Sequence, residues 1–204
     1  MRDVNVLLVG VGGQGVVLAS DAMAEVGMLN GYDVKKSDSL GMAQRGGSVV
    51  SHVRWGRRVF SPMVKRGEAD FLLAFEQLEG ARWAPYLRDG GVAVVADVVV
   101  VPVSVIGSTT PYPTWDEIER TLCRYTDQVY RLPAMKIGLE LGNPRALNMV
   151  MLGFLSAFLE LEAEAWTGNI RRHLPPKFVE SSLAAFDRGA AEALAMKKEK
   201  GVQR

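Results

Sequence analysis
Val4 to Val9 is β-branched and apolar and ends on Gly10, which predicts a buried strand. From Val16 the apolar positions move to helical spacing (Val16, Leu18, Ala19, Met23, Val26), and Asn30-Gly31 supplies a C-terminal stop. A short strand over Tyr32 to Lys35 would complete a βαβ opening. The period then changes: residues 46–64, "GGSVVSHVRWGRRVFSPMV", alternate in the strand manner around Gly56-Arg57, predicting an antiparallel hairpin and arguing against a purely parallel sheet. Ala69 to Glu76 reads as another buried strand, residues 77–91 as an amphipathic helix closing on Gly90-Gly91, and residues 92–105 as one or two more strands.

Thr114 and Glu117 have the spacing of a capping box and open a helix running to about Tyr125. A strand follows at Gln128 to Leu132. Asn143-Pro144 offers a cap and a first-turn proline for a long apolar helix, and Pro175-Pro176 opens a last helix fraying into the charged, solvated tail "MKKEKGVQR". This order predicts an α/β fold: a Rossmann-like three-layer domain with a mixed sheet that includes an antiparallel hairpin. Residues 1–204 form one domain in this reading, with 143–200 mainly helical.

Composition narrows the function classes. The 204 residues carry 24 Lys plus Arg against 23 Asp plus Glu, a balance that gives no broad field for nucleic acid. One cysteine, Cys123, permits neither an intrachain disulfide nor a thiolate cluster, which points to the cytoplasm. The apolar run from Ala146 to Leu161 contains Asn148 and is short for a bilayer, so no membrane span is expected. Met149, Met151, Leu152, Phe154, Leu155 and Phe158 give that run more apolar faces than one small core needs, and self-association of the isolated chain is expected through them.

Gly10, Gly12 and Gly15 form GxGxxG directly after a strand and at the start of a helix, so Gly10, Gly12, Gly13, Gln14 and Gly15 are the candidate anion or nucleotide turn. A free-standing nucleotide-binding protein or NAD(P)-dependent dehydrogenase is therefore one alternative. Against it, Lys35 and Lys36 stand where a ribose hydroxyl would need a carboxylate, with Asp33 early and Asp38 late. His52 and His173 have no second ligand at metal spacing, so no metal site is expected. No nucleophile elbow or Walker lysine is present, and no residue is assigned a catalytic role.

Three stretches in order, "GVGGQGV", "GMAQRGGSVVSHVR" (41–54) and "LGNPRALNMVMLG" (141–153), resemble the gamma-type domain of the 2-oxoacid:ferredoxin oxidoreductases over nearly the whole chain. The resemblance implies an accessory subunit of a complex that decarboxylates an aryl 2-oxoacid, forms the acyl-coenzyme A and passes electrons to ferredoxin. It also implies that thiamine diphosphate, Mg and the iron–sulfur clusters sit on a large alpha subunit, with none held tightly here. Nothing in the chain separates indolepyruvate from phenylpyruvate, 2-oxoglutarate or branched-chain acids. In the middle motif Gly46-Gly47 permits close backbone approach, and Arg45 offers a charged planar fork suited to coenzyme A or to a carboxylate in the subunit cleft.

Overall fold
The computed structural model describes residues 2–40, 47–101, 111–143 and 146–202. Along β1 (Val4–Val11) side chains alternate between two cores: Val6 and Leu8 enter one, Leu7 and Val9 the other, and all four are closed to solvent. A strand apolar on both faces needs cover on both. On the first face lie α1 (Val16–Leu29), α4 (Ala134–Glu140), α5 (Leu147–Ser156), α6 (Ala163–His173) and α7 (Pro176–Val202); on the second lie α2 (Gln77–Trp83) and α3 (Trp115–Leu122).

The sheet between them runs β2-β3-β1-β4-β5-β6, with β2 Asp33–Leu40, β3 Ser48–Gly56, β4 Ala69–Ala74, β5 Leu87–Ala96 and β6 Gln128–Leu132. β3 is antiparallel to both neighbours, β1 and β2, whereas β1, β4, β5 and β6 are mutually parallel. The expected mixed three-layer α/β architecture is thus present.

The antiparallel pair is not where alternation placed it. β3 pairs with β2 (Lys35 opposite Arg54, Ser37 opposite His52), so β2 extends to Leu40 and the connection falls in residues 41–46, outside the described residues. Beyond Gly56 the chain leaves the sheet. The Asp33 carboxylate accepts the Val59 amide at 2.8 Å, and His52 Nδ1 accepts the Val64 amide at 3.2 Å. Buried Val59 and Val64 therefore anchor a loop and are not strand residues. The βαβ opening is modified in the same way, because β3 sits between β1 and β2.

Two helix boundaries also shift. The helix expected over 77–91 ends at Trp83, a 3-10 turn at 84–86 contains Pro85, and Gly90-Gly91 lies inside β5 where its register against β4 slips. Asn143 does not cap the apolar helix: Ala146 occupies that place, Pro144 lies outside the described residues, and Asn143 Nδ2 donates to Ser181 Oγ at 3.1 Å. The apolar run is also shorter as a helix than expected, since α5 stops at Ser156 and α6 starts afresh at Ala163. The capping box at Thr114 and Glu117 and the strand at 128–132 occur as expected.

Met149, Met151, Leu152, Phe154 and Leu155 are all buried, chiefly because α7 lies along α5. Five of the six residues expected to drive self-association are thus consumed inside the chain, and Phe158 is half-buried. A Cβ on Gly153 would collide with the Phe186 carbonyl, and one on Gly189 with the Val150 carbonyl, so the two helices meet backbone to backbone. Nor is the tail merely solvated. Helix α7 continues to Val202, Lys197 Nζ donates to the Ala157 carbonyl at 3.1 Å, and Lys200 Nζ donates to the Val129 carbonyl at 2.7 Å on the edge of β6. Among the described residues no helix is long and apolar enough to cross a membrane.

This contact yields a stability prediction. Gly153→Ala should destabilise the chain by about 3 kcal/mol, an overpacking cost against rigid backbone. Gly168→Ala, where added atoms meet open space, should stabilise by up to about 1 kcal/mol through helix propensity. Chemical denaturation of both variants checks the pair.

Candidate functional site
In an open α/β sheet ligands gather beyond the carboxyl ends of the strands, where the direction of winding reverses. Here that point lies between β1, whose helix leads left to β2, and β4, whose helix leads right to β5. The glycine turn stands there, and its interior is filled by Gln14. Gln14 Oε1 accepts the Val11 amide at 2.7 Å, and Nε2 donates to the Phe75 carbonyl at 2.8 Å, tying the end of β1 to the end of β4. A Cβ on Gly10 would strike Gln14 Oε1 at 2.7 Å and the Phe75 side chain at 2.9 Å. Gly13 (φ 100°) and Gly15 (φ 78°) hold left-handed conformations that favour glycine, and Gly15 faces Asn148 Nδ2 of α5.

Two amides of the turn are already spent. Gly12 N–H donates to the Gly47 carbonyl at 2.9 Å and Gln14 N–H to the Val11 carbonyl at 3.2 Å. The turn is therefore joined to the last residue of the "QRGG" motif, while Arg45 and Gly46 lie outside the described residues. Lys35 and Lys36 stand on β2, with β3 between them and β1. Lys35 pairs with Asp33, and Lys36 reaches Asp21 at 2.5 Å and Asp38 at 2.8 Å. Burial works against the Lys36 charge, but the bonds to Asp21 and Asp38 outweigh it and hold its pKa above the ordinary lysine range. β3 separates the acids of β2 from β1, and Asp38 is engaged by Ser51 Oγ at 2.6 Å and Ser20 Oγ at 3.5 Å. A dinucleotide's ribose instead takes its carboxylate from the strand next to β1.

Sequence pattern missed a second polar group at the same end. Glu76, 1% exposed, caps α2: Oε2 accepts the Glu79 amide at 2.9 Å, and Oε1 accepts the Val100 amide at 3.2 Å and the Tyr112 hydroxyl. Burial, then the Glu76 carboxylate, drive the Tyr112 phenol well above its usual pKa. One helical turn on, buried Glu79 accepts from Ser48 Oγ at 2.6 Å and from Arg82 at 2.6 Å. Ser48 follows Gly47 directly, so α2 fixes the exit of the "QRGG" segment from a second side. The available signal was two acids three residues apart at a strand-to-helix boundary, "AFEQLEG".

The remaining candidates are structural. His52 is buried against Trp83 and Tyr86, and burial depresses its pKa. His173 Nε2 lies 2.5 Å from Glu25, joining α6 to α1. Asn148 is buried, its Oδ1 accepting the Met149 amide at 2.9 Å. Among the described residues no cluster of three or more His, Cys, Asp or Glu could hold a metal ion.

Residues 5–192 match the family described as pyruvate ferredoxin/flavodoxin oxidoreductase. The chain belongs to this family. Indolepyruvate oxidoreductase subunit IorB of Pyrococcus horikoshii is 35% identical over 199 residues, covering 96% of this chain and 98% of that one. The subunit of the same name from Methanothermobacter thermautotrophicus is 37% identical over 191 residues, covering 93% and 97%. The gamma subunit of a keto/oxoacid ferredoxin oxidoreductase from Geobacter sulfurreducens superposes with a TM-score of 0.73 at 25% identity, over 96% of this chain and 98% of that one. Its sheet and helices are thus those of an oxidoreductase gamma subunit, and these relatives are themselves subunits of 2-oxoacid oxidoreductases.

Gln14→Leu keeps the volume but leaves the Val11 amide and the Phe75 carbonyl without their partner. A loss of about 2 kcal/mol is expected, with the turn becoming more susceptible to proteolysis. Urea titration and limited digestion measure the two effects.

Proposed function
We propose that this chain is the small, non-catalytic subunit of a cytoplasmic indolepyruvate:ferredoxin oxidoreductase. In that complex a large alpha subunit carries thiamine diphosphate, Mg and the iron–sulfur clusters. The observation that carries the reading is the near end-to-end match to the IorB subunits. Chemistry supports the division of labour: a cluster needs several thiolates and this chain has one cysteine, so its own residues do not fit that group. With two amides of the glycine turn satisfied internally, the isolated chain gains little from a nucleotide there, which counts against a free-standing dehydrogenase.

In this reading residues 1–204 act as one domain, and the glycine-turn end of the sheet completes the cleft of the alpha subunit. The tie from Gly12 to Gly47 and the tie from Ser48 to Glu79 fix where the "QRGG" segment leaves that end. Arg45, within it, meets an anionic group of coenzyme A or a carboxylate of the alpha subunit, and Gly46 and Gly47 let the backbone come close. The chain supplies a charged, shaped wall, and bond-making belongs to the partner.

Co-expression with the large subunit should give viologen reduction dependent on coenzyme A and fastest with indolepyruvate, whereas either chain alone should be inactive. Full activity of the large subunit by itself would overturn an accessory role, and preference for a branched-chain acid would overturn the substrate. Within the complex Arg45→Ala should raise the KM for coenzyme A about tenfold, the loss of one charge-assisted contact, or weaken co-purification. If both stay unchanged, Arg45 has no part in the cleft.

A further inference from the structure
At the end of the sheet opposite the glycine turn, where β1 and β4 begin and β3 ends, the α5–α6 connection closes over a cavity of about 310 Å³. Four aromatic rings line it. Trp55 and Phe71 are buried and form its floor, whereas Tyr32 and Phe158 are half-buried and stand nearer the mouth. The rings come in two pairs, with 5.6 Å between the centroids of Tyr32 and Trp55 and 6.2 Å between those of Phe71 and Phe158. The floor is fixed: the Trp55 indole covers Gly27, where a Cβ would come within 2.6 Å of it.

The polar lining sets the charge of a ligand. Buried Asp70 accepts the Asn5 amide at 2.8 Å, Arg88 Nε at 2.6 Å and Arg2 at 3.3 Å. Arg88 alone matches its charge, so Asp70 makes no demand for a cationic ligand. Arg2 is the surplus: it gives Asp70 one long bond, its side chain is 67% exposed, and a guanidinium carries five N–H donors. Glu160, across the mouth, is exposed, where water and salt screen it. The cavity therefore offers flat apolar surface to a ring and a planar cationic fork, of the geometry that fits a carboxylate, to an acidic arm. Its volume is at the small end of ligand sites, which run from about 300 Å³ upward. That suits one or two fused rings with a short arm and is too small for a dinucleotide.

We propose that this cavity binds an aryl carboxylic acid, with the ring among Tyr32, Trp55, Phe71 and Phe158 and the carboxylate on Arg2. It is a second site and not the cleft: Val4, in its lining, and Val11, at the glycine turn, stand at opposite ends of β1, about 23 Å apart along the strand. The ligand class follows from the cavity's own residues. One further step rests on the functional reading above: in an indolepyruvate oxidoreductase the site takes the class of acid that the complex consumes, away from where it is consumed.

Binding is measured without turnover, by calorimetry and by saturation transfer from protein to ligand, on the full chain and again on the assembled complex. A negative result then leaves the functional assignment standing, and failure of that assignment leaves the site standing. Three probes share a ring and differ in charge: indole-3-acetate, indole and tryptamine. Indole-3-acetate should bind with a Kd of about 100 µM, the range open to a ligand of its size, and about tenfold more tightly than tryptamine. Arg2→Ala, a surface change, should weaken indole-3-acetate about tenfold and leave indole unchanged. Phe158→Leu should weaken both severalfold, with thermal melting followed by circular dichroism to establish that the fold is kept. Silence of all three probes up to about 5 mM overturns the proposal. So does tryptamine binding as tightly as the acid, or an Arg2→Ala chain that binds the acid like wild type. Loss of binding on assembly overturns it too, and would make the cavity a contact with the large subunit.

Discussion
Everything at the glycine-turn end depends on the strand that stands beside β1. In a dinucleotide fold the neighbour is a parallel strand delivering an acid to the ribose. Here it is antiparallel β3, whose entry, and not its exit, lies against the turn. That reversal brings the Gly47 carbonyl to the Gly12 amide and Ser48 to Glu79. It also moves β2, with its two lysines, one strand further out. The turn serves as a joint between a strand, a helix and the residue that ends the "QRGG" motif.

Side chains make this joint rigid. Gln14 joins two adjacent strand ends through one side chain, and Glu76 joins α2 to residues on either side of 101–111 through Val100 and Tyr112. A buried carboxylate is costly unless its oxygens are satisfied, and these acceptors have three donors on Glu76 and two on Glu79. Such a frame defines where the segments leaving this end begin.

Much of the frame was legible along the chain. β1, β4 and β6 announce themselves because both or alternate faces are buried, and the Thr114 capping box marks α3. Other features were hidden for physical reasons. Val59 and Val64 continue the alternation of β3, yet their amides are claimed by side chains of β2 and β3 rather than by a neighbouring strand. Gly90-Gly91 looks like a helix stop and serves as a slip in the β4-β5 register. Glu76, at the end of the expected strand, and Glu79, in the expected helix, are both buried, which charge alone does not reveal. Lys197 and Lys200 look like a solvated tail, although their ammonium groups lie over Phe158 and Tyr130 and donate to carbonyls at the end of α5 and at the edge of β6.

Family membership is easier to see in this sequence than mechanism. "GVGGQG", "QRGG" and "GNPRALN" are short because each marks a place where backbones or small groups must approach closely: the turn, the segment joined to it, and the α5 start that places Asn148 under Gly15. Such constraints allow few substitutes, so they stand out in a sequence. Surfaces of a given shape and charge leave no comparably short mark in a sequence. The two ends of the sheet differ: one is tied internally by neutral and acidic groups around the glycine turn, and the other carries exposed Phe60 with the Arg58 guanidinium stacked on it.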